Sequence, residues 1–123
     1  MILGILLLFL AVAILGVALA ALRQKLPGNS VIGIRVPEVR RDPELWALAH
    51  RVAAPSWIVA SVAAALGGVI AFNASGWGWG WVAVAVIATL VMIGVGSAMG
   101  AHTVAVVDAQ RQAAADADGC GCG

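Results

Sequence analysis

One segment of the chain holds most of the residues whose types and spacing could do chemistry. Arg35 stands between Gly33 and Pro37, in a stretch with no helical period. A guanidinium held in place there can bind a carboxylate or a phosphate through two parallel hydrogen bonds. The pattern therefore predicts recognition of a peptide terminus or a lipid headgroup. The alternative is that Arg35 pairs with Glu38 or Glu44 and only fastens the segment to the rest of the protein.

A second pair of candidate residues follows in the same segment. Trp46 and His50 are four residues apart, so on a helix they are neighbours on adjacent turns. An indole beside an imidazole could form one wall of the site that Arg35 serves. Arg51 follows directly and adds a further cation.

Elsewhere the side chains that could carry catalysis are sparse. The long apolar runs contain no Asp, Glu, Lys or Arg, and their polar residues are a few hydroxyls. Proton relays, ion pathways and intramembrane hydrolases ordinarily need ionisable or clustered polar groups inside the bundle. We therefore expect no enzyme and no self-contained transporter. His102, near the end of the last run, is interpreted as a histidine at the membrane boundary.

The two cysteines give no metal prediction. Cys120 and Cys122 stand in a terminal CGCG sequence with no third or fourth ligand nearby. In a reducing cytoplasm a structural disulfide between them is not expected. We expect no metal and no cofactor.

The elements that must position these residues are helices in a membrane. Hydrophobic residues make up 63% of the 123 residues and charged residues 11%, whereas about a quarter of the residues in a soluble domain are charged. The apolar residues form three long runs, each able to cross a hydrocarbon core of ~30 Å as a helix. The predicted fold class is an all-α integral membrane protein with transmembrane helices over about residues 2–22, 52–72 and 79–101.

The distribution of charge predicts the orientation. Six of the seven Lys and Arg residues lie in the loop 23–51, and the short turn between the second and third runs has none. By the positive-inside rule the basic loop and the C-terminus are cytoplasmic and the N-terminus is outside. An A-x-A pattern at 18–20 resembles a cleavage site, but no basic region precedes the first run, so we expect an uncleaved helix.

The loop is expected to contain a short helix of its own. Asp42, Pro43 and Glu44 form a strong start signal, and the residues that follow are amphipathic. The prediction is a short interfacial helix between the first two spans, with a kink at Pro55; a helix that continues directly into the second span is the alternative. Residues 1–107 would form a single membrane domain, and 108–123 a cytoplasmic tail of frayed helix followed by disorder.

Two further patterns concern packing and anchoring. Trp77, Trp79 and Trp81 alternate with glycines in the turn, which is typical of an aromatic anchor at the membrane interface, with ligand binding the minor alternative. Small residues recur in the later spans and permit close helix packing, either within the bundle or between copies in a homo-oligomer. These small residues are Ala60, Ala64, Gly68, Gly96 and Gly100.

The basic loop also carries a family resemblance. The strings NSVIGIRVP at 29–37 and DPELWALAHR at 42–51 resemble the signature of the bacterial SdpI family, here in a short three-span form. The resemblance implies a multi-pass protein of the bacterial plasma membrane. It also marks a candidate site for a ligand or partner, formed by the residues that match the signature: Asn29, Gly33, Arg35, Pro37, Trp46, His50 and Arg51.

For function, the resemblance implies a non-enzymatic immunity protein. Such a protein protects the producing cell from a secreted, membrane-active peptide toxin, and in some systems also sequesters a cytoplasmic repressor. The expected partners are the lipid bilayer and a peptide toxin, with no direct binding of nucleic acid. The alternative is a small accessory subunit that stabilises a larger membrane complex.

Overall fold

The computed structural model describes residues 1–25 and 42–121, and these ranges form three helices without a strand. They are α1 (Ile2–Leu22), α2 (Pro43–Asn73) and α3 (Gly78–Gly119). All three are long and apolar enough to cross a membrane. The predicted all-α fold with three membrane-spanning helices is therefore confirmed.

The second helix is the centre of the bundle. α2 packs against both other helices, whereas no Cα atom of α1 lies within 8 Å of one of α3 in the described ranges. The predicted small residues of the two later helices are all buried. A Cβ atom added at Gly68 would stand 3.1 Å from the carbonyl oxygen of Gly4 in α1, and one at Gly67 would stand 2.8 Å from Cβ of Ala85 in α3. The small residues thus bring the helices of one chain into close contact.

α2 begins where the sequence predicted a helix start. The Asp42 carboxylate accepts a hydrogen bond of 2.8 Å from the backbone N–H of Glu44, and Pro43 occupies the first turn. From there the helix continues without a break through Pro55 to Asn73. The prediction of a separate interfacial helix is therefore wrong. The alternative is found, a single helix that continues directly into the second span. The reason is packing, because the apolar face that a surface helix would bury in lipid is buried in a cluster with Ala18 of α1 and Val104 of α3.

The third helix continues far beyond the predicted span. It reaches Gly119, so the tail from Asp108, expected to be frayed helix followed by disorder, is helical over most of its length. Alanine has the highest helix propensity, and a helix already nucleated by a span extends at little cost through a stretch as rich in alanine as 113–117.

The helices differ in length, and this leaves part of the bundle with only two of them. Ala18, one turn before the end of α1, shares a buried cluster with Leu45, Ala49 and Ala53, so α1 ends at the level of the first two turns of α2. Beyond that level α2 and α3 continue side by side. We call residues 43–49 of α2 and 101–111 of α3 the projection. The exposed tryptophans of the predicted anchor lie at the opposite end of the bundle.

Candidate functional site

The predicted Trp46–His50 pair is formed, close to the base of the projection. The His50 ring lies with its centroid 4.2 Å from that of Trp46, at an interplanar angle of 34°. Nδ1 of His50 lies 2.8 Å from the backbone carbonyl oxygen of Trp46. Because a carbonyl oxygen only accepts, Nδ1 carries the proton and donates. The bond holds the imidazole against the indole, and His50 is 1% exposed.

A third aromatic residue, Trp57, belongs to the same column. Its ring meets His50 edge to face, with centroids 5.8 Å apart and an interplanar angle of 76°. Its indole N–H donates to the carbonyl oxygen of Ile93 in α3, with an N···O distance of 3.4 Å. Reasoning from the sequence missed Trp57, although it stands two helical turns after His50 and so shares its face. We call Trp46, His50 and Trp57 the aromatic column.

The two indole N–H groups of the column differ in their partners. That of Trp57 is paired, whereas Nε1 of Trp46 is buried and, among the residues that the structure describes, has no hydrogen-bond acceptor. A buried donor left unpaired costs about 1–3 kcal/mol. A ligand that brings a carbonyl, carboxylate or phosphate oxygen to this position would recover that cost. The geometry therefore offers one directed donor for an oxygen-bearing group.

An ion-pair network closes the free end of the projection. The two guanidinium nitrogens of Arg111 lie 2.7 Å from Oδ2 of Asp42 and 2.9 Å from Oε2 of Glu44. Asp42 uses its other oxygen to cap α2, so one carboxylate both starts that helix and binds α3. The hydrogen bond that Arg111 donates to the Glu44 carboxylate raises the pKa of Arg111 above its ordinary value, so the guanidinium stays charged. We call Arg111, Asp42 and Glu44 the Arg111 clamp.

Only part of the predicted site lies within the described residues. Trp46 and His50 are brought together as predicted, and Arg51 follows them with an exposed side chain. The other predicted members, Asn29, Gly33, Arg35 and Pro37, lie outside the described residues. Trp46, His50 and Arg51 are therefore the described part of the predicted site, and Trp57 extends it.

Metal-binding side chains do not gather in the described part of the chain. No group of three or more His, Cys, Asp and Glu residues is found there that could hold a metal ion. Cys120 is exposed just after the end of α3.

Comparison with known proteins gives one match. The profile of the SdpI/YfhL protein family matches residues 25–96. This range includes the basic loop from residue 25 onward, all of α2, and α3 as far as Gly96. No curated protein and no solved structure matches. The family profile covers more than half of the chain and includes both strings on which the resemblance was based. This membrane protein belongs to the SdpI/YfhL protein family.

Proposed function

We propose that the chain is a non-enzymatic SdpI-type immunity protein that protects a bacterial cell from a secreted, membrane-active peptide. The observation that carries the proposal is the family match over residues 25–96. That stretch contains the basic segment and the aromatic column. Protection would work by binding the peptide or by signalling its presence.

The aromatic column supports a binding role. The buried indole N–H of Trp46 has no hydrogen-bond acceptor among the described residues. A peptide supplies oxygen acceptors in its carbonyl groups and its terminal carboxylate. Arg35 precedes Trp46 by eleven residues and would add a planar guanidinium suited to a carboxylate. Together they would recognise a carboxylate-bearing peptide end.

The orientation in the membrane is part of the proposal. With six cationic residues between the first two spans and none in the 73–80 turn, the projection and the C-terminus are placed in the cytoplasm and the N-terminus outside. The column would then lie near the inner boundary of the plasma membrane. A peptide acting there would have entered or crossed the bilayer.

The second candidate, an accessory subunit, has an observation of its own. Gly94 and Ala98 lie exposed on α3, one turn apart, and nothing lies within 4 Å of a Cβ atom added at Gly94. Small residues on an outer helix face permit close approach of another membrane helix. A larger membrane complex, or a second copy of this chain, would use that face.

A protection assay tests the first candidate. A strain lacking the gene is grown in supernatant from its parent culture, with and without a plasmid copy of the gene. We expect the deletion strain to lose viability and the plasmid to restore it. Equal survival of all strains, together with loss of a membrane complex in the deletion strain, would reject immunity and favour the accessory subunit.

A further inference from the structure

The projection is held together by few apolar contacts. Leu45 and Ala49 of α2 and Val104 of α3 are buried in it, at 2%, 0% and 0% exposure, and Trp46 and Val107 are partly buried around them. They share one buried cluster with Ala18, so α1 covers the base of the projection and its outer end is left to α2 and α3. Helix ends belong to the least stable part of a structure, so a contact that joins the free ends of the two helices favours the closed state.

The Arg111 clamp makes that join. It binds the first turn of α2 to α3, and Arg111 stands ten residues beyond Ala101, about 15 Å along the helix. The clamp therefore lies in water, with the side chains of Arg111, Asp42 and Glu44 exposed by 47%, 33% and 79%. No other ion pair occurs within residues 1–25 and 42–121.

We propose that the Arg111 clamp is a latch that keeps the projection closed over Leu45, Trp46 and Val104. Exposed ion pairs are weak and are screened by salt, so this latch opens readily. Opening separates the two helix ends and exposes the apolar residues between them. The latch is a property of the fold and does not depend on the proposed immunity function.

The exposed end of α3 beyond the Arg111 clamp offers a place where binding could open the latch. Residues 112–119 are all exposed, and the one side-chain hydrogen bond that they make within the described residues, from Gln112 to Asp108, stays within α3. A ligand bound to this end of α3 could therefore influence α2 by moving Arg111. Binding there would be coupled to the environment of Trp46 through the clamp.

Thiol labelling measures the opening. Val104→Cys is introduced into a chain carrying Cys120→Ser and Cys122→Ser, and the purified protein in lipid nanodiscs is treated with a maleimide. Labelling of a buried thiol reports the population of the open state when opening is fast. Val106→Cys, at a position that is 43% exposed in the closed state, controls for the reactivity of the reagent.

Two independent changes break the latch. Arg111→Gln removes the cation, and the double change Asp42→Asn with Glu44→Gln removes both anions while an amide keeps the helix cap. Each should raise the labelling rate of the Val104→Cys thiol by roughly 1.5- to 5-fold, the range expected of weak exposed ion pairs. Raising NaCl from 0.05 to 1 M should do the same to the parent, because the Debye length falls to ~3 Å.

A matched control and a cycle decide the outcome. Gln112→Ala removes a neighbouring exposed side chain that bonds only Asp108, and it should leave labelling unchanged. Combining Arg111→Gln with the double change should add nothing to either alone, because both break one interaction. Unchanged labelling in Arg111→Gln, or additive effects in the combined protein, would overturn the latch. Neither result bears on protection from a toxin.

Discussion

Gly96 of α3 lies so close to α2 that an added Cβ atom would stand 2.9 Å from the carbonyl oxygen of Ala53. The same atom would stand 2.9 Å from Cβ of Ser56 and 3.1 Å from Cδ1 of Trp57. The carbonyl oxygen belongs to a helix backbone and cannot turn aside. The aromatic column is therefore positioned partly by the absence of a side chain on the facing helix.

Gly96→Ala should destabilise the bundle. The added methyl group must push α2 and α3 apart, and overpacking of this kind costs about 1–3 kcal/mol. The measurement is unfolding in mixed micelles titrated with a denaturing detergent. Gly94→Ala is the matched control, because nothing lies within 4 Å of its added Cβ atom, and we expect a change within about 0.5 kcal/mol. Equal effects of the two substitutions would contradict the packing described here.

The sequence predicted the helices well and their contacts only in part. Three apolar runs without charge are enough to predict three spans, because lipid leaves the backbone no other way to pair its polar groups. The start of α2 at Asp42 was predictable because capping is local. The link between Arg111 and Asp42 was not, since it joins residues 69 positions apart and needs the register of two helices.

The candidate site was also predicted only in part. The contact between Trp46 and His50 follows from their spacing on one helix, and the structure confirms it. Trp57 was missed because the family strings end before it, so no motif drew attention to it. The pairing of its N–H with Ile93 depends on how α3 packs, which no local pattern encodes.

Thr89→Val should weaken the contact between α2 and α3. The Thr89 hydroxyl lies 2.8 Å from the carbonyl oxygen of Ala85 in its own helix and 3.4 Å from that of Ala60 in α2. Interhelical hydrogen bonds in membranes contribute about 0.6 kcal/mol on average and at most about 1.7. Unfolding in mixed micelles should show a loss within that range.

Thr103→Val is the control for this change. Its hydroxyl bonds only the carbonyl oxygen of Met99, four residues earlier in α3. Within residues 1–25 and 42–121 it makes no hydrogen bond to another helix, so we expect no measurable loss of stability. A loss as large as that of Thr89→Val would show that the intrahelical bond, and not the one to Ala60, is what the hydroxyl contributes.

The proposed orientation predicts which thiols can be reached from outside the cell. Ser75→Cys places a thiol in the exposed turn between α2 and α3, whereas Cys120 follows the far end of α3. A maleimide that cannot cross the membrane should label the Ser75→Cys thiol in intact cells. It should label Cys120 only after the cells are permeabilised. The reverse pattern would place the basic segment outside and overturn the orientation.

Trp46→Phe separates recognition by the aromatic column from its role in packing. The substitution keeps an aromatic ring beside His50 and removes the buried N–H that has no acceptor among the described residues. Removing an unpaired buried donor recovers about 1–3 kcal/mol, which offsets the packing lost with the larger ring. Stability in mixed micelles should therefore fall by no more than about 1 kcal/mol.

Trp57→Phe is the matched control for that change, because it removes an indole N–H that is already paired with Ile93. It should cost more stability than Trp46→Phe, by roughly 0.5–1.5 kcal/mol for the lost hydrogen bond. In the protection assay we expect the opposite order, with Trp46→Phe losing more protection than Trp57→Phe. If the Trp46 N–H binds an oxygen of the peptide, Trp46→Phe loses protection at normal membrane abundance, whereas Trp57→Phe keeps it wherever the protein is still folded. Full protection by Trp46→Phe would exclude this donor from recognition and leave Arg35 and Arg51 as the groups to test next.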